Sequence, residues 1–164
     1  MGKLVTINLS VEASALYLIP NPSPEEIDEL TFLSDDNKGK SGNGTNEDFV
    51  TEVYINSDVK WKGKPLYPKG ADKDYSISID SIEYEKKDGD TDFFDKTTIY
   101  ANGDNKTTVT AKTKNDRGLE GLTDIYTVNF SIHPPRNGKV KSGLSIDPKL
   151  KMSRPDPVPD LETC

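Results

Sequence analysis

Carboxylates at alternate positions form the most suggestive chemical cluster in this 164-residue chain. The cluster comprises Asp88, Asp90, Asp92 and Asp95. Oxygen ligands spaced in this way can converge on a hard cation, so the cluster is a candidate calcium site. It is not an EF-hand, because that loop needs glycine at its sixth position and glutamate at its twelfth, where this chain has Phe93 and Ile99. The competing interpretation is a solvated acidic loop.

Three aromatic residues, Trp61, Tyr54 and Tyr67, could offer flat faces on which a sugar ring stacks. The competing interpretation is that they belong to the core, where aromatic residues of β-rich domains usually lie. A glycosidase would also need two carboxylates about 5–10 Å apart across a cleft. With 28 acidic residues such pairs arise by chance, so we expect a glycan-binding role at most.

The single histidine and the single cysteine argue against catalysis. Cys164 is the last residue given and cannot form an internal disulfide alone. A zinc site needs three or four ligands, and a hydrolase triad needs histidine beside a placed nucleophile. His133 ends a strand-like run and precedes two prolines, which favours a strand-end histidine. We predict no catalytic residues, no enzyme activity and no cofactor.

Charge and hydropathy exclude further classes of protein. The chain has 21 Lys and Arg residues against 28 Asp and Glu residues, a formal net charge of −7. This balance argues against a nucleic-acid binder, which needs a basic face. No run approaches the ~18 apolar residues of a membrane span. The residues after Lys3 alternate instead of forming a secretory signal. We expect a cytoplasmic protein without membrane insertion.

A period of two dominates the apolar residues, which is the pattern of half-buried strands. In the first such stretch Val5, Ile7, Leu9 and Val11 share one face. Alternation recurs at residues 49–61, 75–84, 97–101, 107–113, 126–132 and 144–152. The breaks in this pattern give four local expectations.

Residues 15–19 are expected to continue the first strand or to form a second one. Residues 102–104, Asn-Gly-Asp, predict a hairpin turn between the strands on either side. Pro148 lies inside the final strand and lacks an N–H, which predicts an edge position or a bulge there. A further shift of phase near residue 80 predicts a bulge within the strand at 75–84.

Only one segment has helical signals. Ser23 stands at an N-cap position, Pro24 at the first helical position and Glu26 three residues after the cap, which together predict a capping box. The fold class is therefore all-β: an antiparallel two-sheet β-sandwich, Ig-like or jelly-roll-like, of about seven to nine strands with one short helix. We expect one sandwich domain over residues 1–152 and a proline-rich extended tail over residues 153–164.

One stretch resembles the PixA and AidA-like family of bacterial inclusion-body proteins. Gly42-x-Gly44-Thr45 is followed by a strand and by Asp58-Val59-Lys60-Trp61-Lys62-Gly63. The family has Gly-x-Gly-Thr and Asp-Val-x-Arg-Trp-Arg-Gly at nearly this spacing, so lysines stand where it has arginines. Upstream, residues 20–23, Pro-Asn-Pro-Ser, resemble another family motif. A small bacterial family named for Asp-Pro and Glu-Pro dipeptides resembles the C-terminal part.

The resemblance implies a soluble, cytoplasmic, non-enzymatic bacterial protein that accumulates in inclusions. Our first hypothesis is therefore a β-sandwich that acts by self-association, with itself as partner. A carbohydrate- or calcium-binding module is one alternative. A structural subunit of a larger filament or injection apparatus, anchored by the tail, is another.

Overall fold

Two β-sheets pack face to face through their alternating apolar residues. The structure is a computed structural model, and it describes residues 4–36, 49–84, 93–95, 98–101, 108–136 and 138–153. The strands are β1 (Val5–Val11), β2 (Thr31–Asp35), β3 (Val50–Tyr54), β4 (Asp58–Pro65), β5 (Ser76–Tyr84), β6 (Thr98–Tyr100), β7 (Thr108–Lys112), β8 (Thr123–His133), β9 (Lys141–Ile146) and β10 (Lys149–Ser153). The helices are α1 (Ala13–Tyr17) and α2 (Pro24–Glu29), with a 3-10 turn at Arg117–Leu119.

The smaller sheet has four strands in the order β2-β1-β4-β7. β1 runs antiparallel to β2 and parallel to β4, and β4 runs antiparallel to β7. The four apolar side chains of β1 point inward, as the alternation predicts. Trp61 lies beside Ile7 on the inner face of β4, which places the indole between the sheets.

The larger sheet has six strands, and its main order is β3-β10-β8-β5-β6. β9 and β10 follow one another along the same edge of β8, while β5 lies on the other edge. β10 is parallel to β3 and antiparallel to β8. The bulge expected in β5 is present as a register shift between Ile79 and Ser81.

The all-β prediction is confirmed, but the antiparallel prediction is wrong for two strand pairs. β1–β4 and β3–β10 are parallel, so both sheets are mixed. Alternation shows which side chains are buried, but not which strand lies alongside or in which direction it runs. The described residues also form ten strands, one more than the upper end of the expected range.

Helix content was underestimated. The capping box of α2 is confirmed: the Ser23 N–H donates to Glu26 Oε1 at 2.9 Å, and the Glu26 N–H donates to Ser23 Oγ at 3.2 Å. Residues 13–17 form α1, however, so the strand expected at 15–19 is wrong. The carboxylate of Asp72 binds the Ser14 N–H at 2.8 Å, a tertiary cap for α1 that no local pattern reveals.

Two expected strand connections differ from the prediction. β6 pairs with β5 in the larger sheet, whereas β7 pairs with β4 in the smaller one, so these strands do not form a hairpin. The intervening residues 102–104 lie outside the described ranges. The final strand is divided at Asp147-Pro148 into β9 and β10, a sharper break than a bulge. β10 includes Ser153, and the rest of the expected tail lies outside the described residues.

The core fills the space between the sheets, and the two flanks of the sandwich differ. The largest fully buried side chains include Trp61, Tyr126, Phe93, Phe94 and Phe130. At one flank the edge strands β2 and β3 are joined, because Thr51 Oγ1 donates to Asp35 Oδ2 at 2.7 Å. At the opposite flank the described residues of β6 and β7 line a cleft and show no such side-chain link between the two strands. We refer to these as the closed flank and the open flank.

Candidate functional site

Trp61 lies in the core and presents almost no ring surface to solvent. It is 1% exposed, and its Nε1–H donates to the Tyr126 hydroxyl at 3.1 Å. Its ring also makes edge contacts with Tyr126 and Phe94, at centroid distances of 5.8 and 5.9 Å. Stacking of this indole on a sugar would require the two sheets to separate. Its position agrees with the core interpretation.

Tyr54 and Tyr67 lie in different surroundings from each other. Tyr54 ends β3 and is 6% exposed, and its carbonyl accepts a hydrogen bond from the hydroxyl of Thr113. Tyr67 follows β4 and is half exposed, so it alone of the three aromatic candidates offers a ring to solvent. Its backbone N–H donates to Asp72 Oδ2 at 3.0 Å.

The acidic cluster is only partly described. Asp88, Asp90 and Asp92 lie outside the described residues, while Asp95 is exposed directly after the buried pair Phe93 and Phe94. Within the described ranges, no group of three or more His, Cys, Asp or Glu residues is arranged to hold a metal ion.

The open flank contains a cleft of about 550 Å³ beside Asp95. Its walls come from both sheets: Ile99 and Tyr100 on β6, and Thr110 and Lys112 on β7. Tyr100 is 69% exposed and is the most accessible aromatic ring here. The charges of Asp95 and Lys112 and the hydroxyls give the cleft a mixed polar lining, and the described lining residues form no convergent set of catalytic groups.

A polar network lies on the outer face of the larger sheet, near the bulge in β5. His133 Nε2 is 2.9 Å from Ser78 Oγ, which donates to Asp80 Oδ1 at 3.0 Å. The hydroxyl of Ser131 donates to the other oxygen of Asp80. In a hydrolytic triad the carboxylate binds the imidazole, whereas here it binds two serine hydroxyls. His133 ends β8, as predicted, and the network fastens β8 to β5.

A second cleft, of about 610 Å³, lies between the α1–α2 connection and β9. Tyr17, Pro20 and Pro22 line one side, and residues 139–144 line the other. The Tyr17 hydroxyl donates to the Lys139 carbonyl at 2.7 Å, which spans the cleft at one end. The Pro-Asn-Pro-Ser motif thus shapes a surface groove and also leads into the cap of α2.

The sequence motifs do not identify one charged feature of the described surface as a site. Lys60, Lys62 and Lys64 alternate along β4 and point away from the core, because Val59 and Trp61 point inward. We call these three residues the lysine row. The signal in the sequence is a period of two at residues 60, 62 and 64, and the resemblance to a family motif accounts for two of these lysines only as replacements for arginines.

Asp72 is the carboxylate with the clearest structural role. It is fully buried in the connection between β4 and β5, and its oxygens bind the backbone N–H groups of Ser14 and Tyr67. Burial alone would raise the pKa of Asp72, but the hydrogen bonds from these N–H groups outweigh it and lower the pKa below its usual value. The charged form therefore holds α1 against this connection.

Comparisons with known proteins support the fold and not a family membership. No protein-family model matches the chain. No curated protein matches its sequence either. Among solved structures, the chain is similar to an inclusion body protein, PixA, from Burkholderia cenocepacia J2315. The TM-score is 0.63 at 10% identity, and the match covers 93% of this chain and 96% of the other.

At 10% identity this similarity shows the fold, and the sequence resemblance to PixA-like proteins gains support at that level alone. The similarity spans nearly the full length of both chains, so it concerns the whole sandwich and not a shared fragment. In the described residues, no helix is long and apolar enough to cross a bilayer.

Proposed function

We propose that this chain is a non-catalytic protein that works by self-association into inclusion-type assemblies. The observation that carries the proposal is the near full-length similarity to a protein described as an inclusion body protein. A cytoplasmic location is part of the same proposal.

The edges of the two sheets supply a physical route to association. β2 and β7 bound the smaller sheet, and β3 and β6 bound the larger one. A strand with an unpaired edge offers N–H and C=O groups to another chain. At the closed flank the inward carboxylate of Asp35 binds Thr51 and so links the edge strands β2 and β3, which opposes pairing with another chain. Among the described residues, no equivalent hydrogen bond links the edge strands β6 and β7 at the open flank.

Structural roles for the polar groups of the described residues support the proposal of a non-catalytic protein. The one histidine belongs to a network that joins two strands, and the buried carboxylate of Asp72 holds a helix in place. Among the described residues that line the two clefts, no nucleophile is paired with a base. Each of these polar groups therefore has a structural explanation.

The test is the association state of the purified full chain over a wide range of concentration. Sedimentation velocity and light scattering should detect species larger than a monomer, with a fraction that rises with concentration. A chain that stays strictly monomeric at the highest attainable concentration would contradict the proposal.

A pair of matched variants examines the role of the open flank. Tyr100→Lys places a charge on the exposed face of edge strand β6, and Leu122→Lys makes the same kind of change in the turn before β8. The first should reduce the associated fraction and the second should not. Equal association of both variants would exclude β6 as a contact.

A further inference from the structure

The cleft of about 610 Å³ between the α1–α2 connection and β9 is held in shape by two hydrogen bonds that join its walls. The Tyr17 hydroxyl donates to the Lys139 carbonyl at 2.7 Å, and the Lys141 ammonium donates to the Ile19 carbonyl at 2.6 Å. The volume lies within the range of about 300–1,000 Å³ that is usual for small-molecule sites. The cleft is therefore preformed and large enough for a small ligand.

A bulge in β9 turns the side chain of Lys141 toward the interior. Phe130 on β8 pairs with Leu144, and Ile132 pairs with Lys141, so β9 has one residue more than β8 between these pairs. Gly143 lies in this bulge with a φ of +79°. Residues directly opposite each other in a ladder share a face, and both Ile132 and Leu144 are buried. The bulge therefore places a lysine on the inner face of the larger sheet.

The ammonium of Lys141 has a neutral partner. It is half-buried, and among the described residues its hydrogen-bond partner is the Ile19 carbonyl. An ammonium has three donors, so this carbonyl leaves two of them for another partner. A charge that is partly removed from water is unfavourable unless it is paired. No Asp or Glu is among the described residues that line the cleft, so the lining does not supply the opposite charge.

The rest of this wall adds donors to the same place. Lys139 carries a second ammonium, and its side chain is exposed. The amide of Asn21 and the hydroxyl of Ser142 are neutral donors at the surface of the cleft. The lining of the cleft is therefore positive, although the protein as a whole has a formal net charge of −7.

The acidic residues nearest along the chain stand outside this lining. Ile27 on α2 lines the cleft, whereas its neighbours Glu26 and Asp28 do not. The carboxylate of Glu26 accepts the N-cap N–H of α2 at 2.9 Å, which keeps it at the helix cap. Asp147, after β9, accepts a hydrogen bond from the Thr127 hydroxyl at 2.6 Å. The charge of the two lysines is thus not matched by a carboxylate of the lining.

The opposite wall is apolar and rigid. The ring of Tyr17 packs edge to face against Tyr75 at a centroid distance of 6.0 Å, and its hydroxyl is fixed by the Lys139 carbonyl. Pro20 and Pro22 line the same wall, and their fixed φ angles stiffen the connection. A wall of this kind suits a flat or hydrocarbon group, because its own side chains lose little freedom when they are covered.

We propose that this cleft binds a small organic anion. Its carboxylate or phosphate group accepts hydrogen bonds from Lys141 and Lys139, and its apolar part lies against Tyr17 and the two prolines. The anion takes the donors of Lys141 that the Ile19 carbonyl leaves, in hydrogen bonds that the opposite charges strengthen. The cleft is formed by other elements than β6 and β7, so the proposal does not depend on self-association through the open flank.

Phenyl phosphate is the probe, because it joins a flat ring to an anion. Ligand-observed saturation-transfer NMR on the full chain serves for monomers and assemblies alike. It should show saturable binding with a dissociation constant on the order of 1 mM for a ligand of this size. Benzoate, titrated in parallel, shows whether phosphate or carboxylate is the preferred group. Benzyl alcohol has the ring without the charge and should bind about tenfold more weakly or not at all.

Substitution of Lys141 tests the positioned ammonium. Lys141→Gln should weaken the binding of phenyl phosphate about tenfold, because a charged donor is lost. Lys141→Arg keeps the charge and should retain binding. Lys149→Gln is the matched control, since Lys149 is also a half-buried lysine on a neighbouring strand and does not line the cleft. Circular dichroism and thermal melting verify that each variant is folded.

A second pair of variants keeps the test decisive if Lys141→Gln does not fold. The side chain of Lys139 is exposed, and Lys139→Gln leaves its backbone carbonyl in place for Tyr17. This change should weaken binding about two- to fivefold, as expected for an exposed charge. Lys62→Gln, in the lysine row, removes an equally exposed charge away from the cleft and should have no effect.

Three results would overturn the proposal. They are the absence of saturable binding of both anions, equal affinity for benzyl alcohol and phenyl phosphate, and unchanged affinity in the folded variants at Lys141 and Lys139. None of them bears on self-association, which sedimentation measures without the probe. A chain that stays monomeric and still binds phenyl phosphate through these two lysines would support the site and contradict the proposed function.

Discussion

The indole N–H of Trp61 donates a hydrogen bond of 3.1 Å to the hydroxyl of Tyr126, from the inner face of one sheet to the inner face of the other. Trp61 belongs to β4 and Tyr126 to β8, and both are buried. The two rings also meet edge to face. A polar contact within an apolar interior thus fixes how the central strands of the two sheets face each other.

Tyr126→Phe should destabilise the fold by about 1–3 kcal/mol, because the Trp61 N–H is then left buried without its acceptor. Equilibrium unfolding in urea, followed by tryptophan fluorescence, measures the change. Tyr100→Phe removes a hydroxyl from a 69% exposed ring and should leave the free energy of unfolding nearly unchanged. Equal effects of the two substitutions would mean that the buried hydrogen bond contributes little.

Alkaline pH should also destabilise the protein through Tyr126. Burial raises the pKa of Tyr126 well above its usual value; the hydrogen bond from Trp61 opposes this rise, and the charge of Asp35 adds to it. The unfolded chain then loses the tyrosine proton near pH 10 while the folded chain keeps it. Stability is therefore complete below about pH 10 and falls above it.

The slope of this loss is at most about 1.4 kcal/mol per pH unit for one proton. Urea midpoints measured between pH 8 and pH 11 should show it. In Tyr126→Phe the slope should be smaller by the contribution of that one group. An unchanged slope in the variant would assign the alkaline loss to other residues.

Asp72→Asn should loosen α1. The two oxygens of the Asp72 carboxylate accept hydrogen bonds from the backbone N–H groups of Ser14 and Tyr67. The asparagine side chain has only one oxygen to offer to these two donors. We expect a loss of about 1–3 kcal/mol in the free energy of unfolding. Asp74→Asn, at a nearby exposed residue with positive φ, is the control, because asparagine tolerates that conformation.

The Asp72 effect should depend on pH with a definite sign. The pKa of Asp72 is lowered in the folded protein, so the stabilisation by its charge is present above the ordinary value of 3.8 and is lost as the pH falls through the folded value. The difference between the original chain and Asp72→Asn should therefore shrink below about pH 4. A difference that stays constant down to pH 2 would argue against the charged hydrogen bonds.

Gly63→Ala should be destabilising although glycine is generally unfavourable in a strand. A Cβ at Gly63 would lie 2.8 Å from Ile77 Cγ2 and 3.2 Å from the Ile77 carbonyl, so the two sheets would have to move apart. Overpacking of this kind costs about 1–3 kcal/mol. At Gly70 the nearest atom is 3.7 Å from the added Cβ, and Gly70→Ala should be tolerated. Thermal melting of both variants gives the comparison.

The sequence predicts local structure here better than the pairing of strands. Only neighbouring residues are needed to predict the alternation in β1 and β8 and the capping box at Ser23. These predictions are confirmed. α1 has five residues, which is too short for a helical period to be recognised, and its cap comes from Asp72, 58 positions away. The parallel pairs depend on contacts between distant segments, which a period of two does not encode.

The candidate site was predictable in part for the same reason. The spacing of Lys60, Lys62 and Lys64 was readable, but their shared exposure depends on β4 being covered on one face only. Composition alone does not decide whether the side chain of Trp61 lies in the core or on the surface. Its partner Tyr126 lies 65 positions away and decides between these interpretations.

The parallel pairing of β3 with β10 links folding to the time course of synthesis. β3 ends at Tyr54, whereas its neighbour begins only at Lys149. Ribosomes add about 5–20 residues per second, so β3 waits roughly 5–20 s for this partner. Throughout that interval β3 lacks the neighbour that covers one of its edges. The larger sheet of a nascent chain is therefore incomplete until nearly the whole of the described sequence has been made.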